Sequence, residues 1–169
     1  SFYQRKEIKD LLAYCRMSIN PHDEEALRRV INYPSRGIGL TTIQKLNILA
    51  NTHNKSIWET ITLINDKENN FNQGTKKKLK EFEIMINNFI VNTKEKDAYS
   101  AAEEIAKQTG LFNNLHNDKS PEGVSRFENI QELLNGIKDF TTTADKNVNK
   151  LADFMQDVAL LTNQDNEGK

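Results

Sequence analysis

Residues 34–45 read PSRGIGLTTIQK: a proline stop, two glycines one residue apart, two threonines, and then a helical pattern. Gly37 and Gly39 can adopt a positive φ without the steric cost of a Cβ atom. The helix that we expect to begin at Leu40 or Thr41 directs its unpaired N–H groups and positive dipole end toward whatever lies before it. The stretch therefore predicts a sharp turn between two helices whose bare backbone can face a phosphate.

Apolar residues recur at spacings of three and four along almost the whole chain. This is the period of amphipathic helices, and it predicts an all-α fold. A chain of 169 residues suits one compact domain, so we expect a single domain, 1–169, of about eight helices. The helices are expected over 6–18, 22–32, from 40 or 41 onward, 56–66, 75–93, 97–110, from 120 to the threonines at 141–143, and across 148–161.

Several helix ends carry capping signals. Ser56 and Glu59 have the spacing of a capping box. Gly110 is expected to end a helix in the left-handed conformation, and Ser120 followed by Pro121 is typical of a helix start. The polar residues 163–169 are expected to form a tail, and both ends of the sequence are interpreted as boundaries of a piece cut from a larger protein.

Composition limits the classes of function. The formal net charge is −1, from 23 basic and 24 acidic residues, whereas domains that bind nucleic acid over their whole surface carry a basic excess. Any contact with nucleic acid is therefore expected to be local. The single cysteine, the missing signal-peptide pattern and the missing apolar span predict a cytoplasmic protein with no membrane contact.

The inventory of chemically active residues is poor. The three histidines stand apart from one another, so we expect no metal site. Cys15 lies on the apolar face of the first helix and is expected to be a buried, inert thiol. No phosphate-binding loop of the ATPase type is present, so this chain is expected neither to bind a cofactor nor to be an enzyme by itself. The lysines at 76–80 are interpreted as a solvated face, and Trp58 as a core residue.

The glycine turn is the remaining candidate site. Thr41 and Thr42 can add hydroxyl donors to a phosphate, and Ile38 is expected to pack inward and hold the turn against the next helix. Four cations are expected to give the turn a local positive field: Arg28, Arg29, Arg36 and Lys45. These residues alone leave two interpretations open, a purely structural connection and a site for the backbone of duplex DNA similar to a helix-hairpin-helix.

The order of motifs resembles a known family. Residues 1–46, SFYQRKEIKDLLAYCRMSINPHDEEALRRVINYPSRGIGLTTIQKL, are similar to a segment of the UvrD, PcrA and Rep type of superfamily 1 DNA helicases. That segment has an F-x-x-R-x-E-I-K-D helix, an N-P-x-D-D turn and the sequence P-x-R-G-I-G-x-x-T. The later stretches 125–137, SRFENIQELLNGI, and 151–165, LADFMQDVALLTNQD, resemble two further helices of the family in the same order.

The resemblance implies a 2B subdomain, a helical insertion in the second RecA-like motor domain of an ATP-dependent 3′–5′ helicase of DNA repair or replication. It implies that ATP and Mg²⁺ belong to the parent chain, that this piece is a non-catalytic and regulatory monomer, and that its partners are duplex DNA and the motor domains. As an insertion, it should have residues 5–8 close to the end of the last helix. The implied DNA contacts are Arg36, Gly37, Ile38, Gly39, Thr41, Thr42 and Lys45. The alternative is a helical protein-interaction or regulatory module in which the turn is only structural.

Overall fold

The computed structural model describes residues 1–167, with side chains through residue 163. Within these residues the chain is all-α, as predicted, with nine α-helices, two short 3-10 turns and no strand. The stretch after Gly110, for which no helix was predicted, is a helix of its own. The helices are α1 (Lys6–Ile19), α2 (Glu24–Val30), α3 (Leu40–Thr52), α4 (Ile57–Thr62), α5 (Gln73–Glu95), α6 (Ala98–Gln108), α7 (Leu111–Asn117), α8 (Pro121–Thr143) and α9 (Leu151–Glu167).

The predicted caps are present. Ser56 Oγ accepts a hydrogen bond from the N–H of Glu59 at 3.1 Å, although the Glu59 carboxylate pairs with Lys55 instead of completing the capping box. Ser120 Oγ accepts from the N–H of Gly123 at 3.1 Å, and Gly110 has φ +84°. These local signals therefore place the starts of α4 and α8 and the end of α6.

Helix boundaries deviate where a polar side chain fixes the end. Asp23 accepts from the N–H of Ala26, so α2 begins after the predicted position 22. Asn72 caps α5, which extends beyond both predicted ends. Val148, expected on the apolar face of the last helix, lies exposed in the 3-10 turn Lys146–Val148. The last helix continues into the expected polar tail as far as Glu167, and residues 168–169 lie outside the described part of the chain.

The first helix is the centre of the molecule. It packs against α2, α5, α6, α8 and α9, and Ile8, Leu11 and Met17 are fully buried. Burying one such side chain stabilises the fold by about 1.5–3 kcal/mol relative to leaving it in water. Trp58 is buried as predicted, with its ring 6.4 Å from that of Phe82. The core therefore extends from α1 outward to α4 and α5.

The two ends of the fold lie together. The last helix packs against α1, and residues from both ends, including Tyr3, Gln4, Met155 and Thr162, line a cleft of about 450 Å³. The beginning of the chain therefore lies beside the last helix, but residues 5–8, for which this proximity was expected, do not line the cleft. No helix in the described part of the chain is both long and apolar enough to cross a bilayer.

Candidate nucleic-acid interface

The glycine turn joins the end of α2 at Val30 to the start of α3 at Leu40. Gly37 has φ +77°, the left-handed region that favours glycine. Gly39 has φ −81° and ψ −179°, an extended conformation open to any residue, so only Gly37 of the two glycines uses the freedom to adopt a positive φ. Gly39 is instead the N-cap of α3, and its missing side chain leaves the first amides of that helix without a side-chain partner.

Asn32 holds the turn in shape. Its Oδ1 atom accepts hydrogen bonds from the backbone N–H groups of Arg36, at 3.0 Å, and Ile38, at 3.1 Å. Ile38 is 0% exposed, which confirms that it packs inward. Its side chain cannot reach DNA, so any contact at this position involves the backbone. Sequence reasoning missed Asn32, although an asparagine just ahead of a glycine turn is a common source of such side-chain-to-backbone bonds.

The guanidinium of Arg36 points into the protein. It donates to the carbonyl oxygens of Val30 and Ile31, the latter at 2.8 Å, and to the Tyr14 hydroxyl at 2.5 Å. It also lies over the ring of Phe82, 5.2 Å from the ring centre. An arginine here adds a charged donor to the carbonyl oxygens at the end of α2, of which that of Val30 also accepts from the N–H of Tyr33 at 3.0 Å. Arg36 therefore acts as a clamp between α2, α1 and α5.

Tyr14 is the buried partner of this clamp. Its hydroxyl faces the carbonyl oxygens of Val30 and Tyr33 and accepts from Arg36. Burial raises the pKa of Tyr14 to about 12, although the nearby Arg36 charge acts in the opposite direction. The phenol therefore stays neutral and can both donate and accept.

The remaining predicted contacts lie on α3. Thr41 is exposed and Thr42 half-buried in the first turn of this helix. Lys45 is exposed, and its Nζ donates to the carbonyl oxygen of Asn70 at 3.2 Å. The accessible part of the predicted site is thus the backbone of Gly37 and Gly39, followed by one side of α3.

Two of the four cations expected around the turn are neutralised. Arg28 lies 3.7 Å from the Glu24 carboxylate. Arg29 lies 2.7 Å from Asp10, a carboxylate with 3% of its side chain exposed. Opposite charges at these distances offset each other, so these two arginines add little to the positive field at the turn.

Three of the lysines at 76–80 are exposed as predicted, namely Lys77, Lys78 and Lys80, but the run is not a uniform solvated face. Lys76 is buried, and its Nζ donates to the carbonyl oxygen of Asp66 at 3.2 Å. Lys78 lies against the glycine turn, with its Nζ 2.7 Å from the position that a Cβ atom on Gly37 would occupy. Nothing in the local sequence signals this contact, because it joins the turn to a helix much later in the chain.

The other candidate groups are structural. Cys15 is fully buried as predicted, and burial raises the pKa of its thiol to about 12. The Nδ1 atom of His22 lies 2.7 Å from Ser56 Oγ, near the start of α4. Among the side chains that the structure describes, those of residues 1–163, no group of three or more histidine, cysteine, aspartate or glutamate residues could hold a metal ion.

The chain belongs to the UvrD-like helicase C-terminal domain family, and the match covers residues 1–169. Membership confirms the resemblance at the level of the family.

Individual relatives agree with this assignment. The ATP-dependent DNA helicase PcrA of Staphylococcus epidermidis is 32% identical over 167 residues, which cover 97% of this chain and 22% of the relative. DNA helicase II of Haemophilus influenzae is 32% identical over 139 residues, covering 82% and 19%. PcrA of Staphylococcus aureus is 30% identical over 167 residues, covering 97% and 22%. The chain thus spans about a fifth of the length of these relatives.

Proposed function

We propose that residues 1–169 form a non-catalytic subdomain that binds duplex DNA and regulates unwinding in an ATP-dependent 3′–5′ DNA helicase. The family membership supports the helicase, and the position of the glycine turn supports the DNA contact. In this proposal the chain corresponds to the 2B subdomain. Its cytoplasmic location and its monomeric state are part of the same proposal.

The observation that carries the DNA contact is the backbone at the start of α3. Gly39 caps this helix without a side chain, and the turn before it is exposed at Gly37. The amides of Leu40, Thr41 and Thr42 have no intrahelical acceptor in this geometry. A phosphate of the DNA backbone can accept from such amides and is attracted by the positive end of the helix dipole.

In this proposal, residues 1–169 and the motor domains have different roles. The motor domains of the same chain would hold ATP and Mg²⁺ and carry out hydrolysis. Residues 1–169 would bind the duplex ahead of the point of unwinding, with phosphate contacts that are independent of sequence. The near-zero net charge of residues 1–169 suits a domain that contributes only a few of the contacts between the whole helicase and DNA.

A protein-interaction module is the second candidate. It is favoured by Leu40 and Ile48, which are 71% and 64% exposed on α3. Apolar side chains this exposed on one helix could contact a partner protein. In this alternative the glycine turn serves only to connect α2 and α3.

Titration of a fluorescein-labelled duplex at several salt concentrations distinguishes the two candidates. The proposal predicts weak binding whose log–log dependence on salt has a slope of roughly −0.9 for each phosphate contacted. Gly39→Val keeps an allowed backbone, and a Cβ atom at this position meets no atom within 4 Å, but the branched side chain stands in front of the amides. Loss of one such hydrogen bond, worth about 1 kcal/mol, should weaken binding roughly fivefold.

Gly136→Val is the matched control, because this glycine on α8 also has open space around its Cβ position. Gly136→Val should bind duplex DNA with the same affinity as the unsubstituted residues 1–169. Equal binding by both variants, together with no effect of salt, would favour the protein-interaction module.

A further inference from the structure

A lysine distant in the sequence covers one side of the glycine turn. Lys78 lies in the second turn of α5, and its Nζ, Cε and Cδ atoms are 2.7, 3.0 and 3.1 Å from the position of a Cβ on Gly37. These distances are shorter than ordinary contacts with a real Cβ, so the lysine can lie here because residue 37 is a glycine. Gly37 therefore provides both the left-handed backbone and the space for this side chain.

The charge of Lys78 is available to a ligand. The side chain belongs to an exposed residue, and within the described part of the chain its Nζ has no hydrogen-bond or ion-pair partner. The neighbouring Lys76 is buried and bonded to a carbonyl, and Lys80 pairs with Glu83 at 3.4 Å. Lys78 is thus the lysine of this run that combines a free ammonium with contact to the turn.

The other cations near the turn are less available. Arg28 and Arg29 are paired with carboxylates, and the Arg36 guanidinium is directed into the protein. Lys45 is exposed but donates to the carbonyl of Asn70. The accessible positive charge beside Gly37 therefore comes from α5.

We propose that Lys78 is a phosphate-binding residue of the duplex-DNA site, which is thus built from two separate parts of the chain. One part is the backbone of the glycine turn and the start of α3, and the other is the ammonium group on α5. The inference rests on the proposed function, since it concerns the same site. An ammonium against Gly37, three residues before the open amides at the start of α3, suits one phosphate group, or two successive ones, on a strand of the duplex.

Two substitutions of similar shape test the role of Lys78. Lys78→Gln removes the charge while keeping most of the side-chain length, and Lys77→Gln does the same at an exposed neighbour that lines a different cleft. With a fluorescein-labelled duplex, Lys78→Gln should weaken binding several-fold at low salt. It should also make the log–log salt slope shallower by about 0.9, the value for one phosphate contact.

The remaining outcomes separate this inference from the proposed function. The Lys77→Gln variant should bind more tightly than Lys78→Gln, with a steeper salt slope, and both variants should unfold at the same temperature as the parent chain. If the unsubstituted chain binds duplex in a salt-dependent way but Lys78→Gln and Lys77→Gln bind alike, the role of Lys78 is overturned and the proposed function stands. If the unsubstituted chain shows no salt-dependent binding to duplex, the role of Lys78 and the proposed function are both overturned.

Discussion

Cys15 and Tyr14 are adjacent ionisable residues on α1 that the fold keeps neutral. Both side chains are fully buried, and burial raises the pKa of each to about 12. Cys15 lies in an apolar setting, whereas Tyr14 meets backbone carbonyls and Arg36. The raised pKa therefore accompanies two different roles: Cys15 is an inert thiol, and Tyr14 is a hydrogen-bonding partner of Arg36.

We predict that the domain loses stability as pH rises from about 9 to about 12. In the unfolded chain the thiol and the phenol ionise near pH 9 and 10, but in the folded state both hold their protons to about pH 12. Stability is thus fully present below the unfolded values and falls by up to about 1.4 kcal/mol per pH unit for each group. Urea unfolding at a series of pH values measures this decline.

Cys15→Ala is the informative variant. It lowers stability at neutral pH by creating a cavity, but its alkaline decline should begin about one pH unit higher, since the remaining phenols titrate near 10 when unfolded. An unchanged pH profile in Cys15→Ala would contradict the burial-based account.

Some side-chain positions could be predicted from the sequence, and others could not. The burial of Cys15 and Ile38 could be predicted, because position on a helical face or between two glycines is local information. The inward direction of Arg36 could not, since it requires Tyr14, the end of α2 and the Phe82 ring to meet in space.

At the scale of elements, the connection between α2 and α3 is a turn fixed from within. Asn32 accepts two backbone hydrogen bonds, and Arg36 satisfies the carbonyls at the end of α2. The sequence predicted the turn, its glycine at 37 and a helix start at Leu40 or Thr41, since these depend on neighbouring residues. The contact of Lys78 with Gly37 depends on how α5 packs, so periodicity along the chain could not reveal it.

We predict that Asn32→Ala destabilises the domain by about 1–3 kcal/mol, the cost of leaving two partly buried N–H donors unpaired. The Ile38 amide is one of these donors, and its side chain is in the core. Asn32→Asp retains an acceptor oxygen at the same position and should lose much less stability. Thermal unfolding measures both variants.

The same pair of variants should differ in DNA binding. Asn32→Ala loosens the backbone that faces the phosphate. Under the proposed function, the Asn32→Ala variant therefore binds duplex more weakly than the Asn32→Asp variant, once the effect of the negative charge that aspartate adds has been subtracted. Equal melting temperatures for the two variants would show that the side-chain oxygen does not hold the turn.

At the scale of the whole molecule, α1 connects both ends of the chain to the core. The last helix packs against α1 and α6, and Leu151 at its start is fully buried. The glycine turn lies at the other side of α1, where Tyr14 contacts Arg36. A domain held together in this way transmits a loss of packing at α9 to the elements around α4 and α5.

We predict that residues 1–167 unfold as one cooperative unit, so that damage at α9 is sensed at Trp58. Leu151→Ala removes a side chain with 0% exposure and should cost about 2–5 kcal/mol. Leu161→Ala, on the same helix but 47% exposed, should change stability by less than about 0.5 kcal/mol. In urea, Trp58 fluorescence and far-UV circular dichroism should report coincident transitions, and Leu151→Ala should shift both to the same lower midpoint. A Trp58 transition that stays in place while the circular dichroism signal shifts would mean that α9 is a separate folding unit.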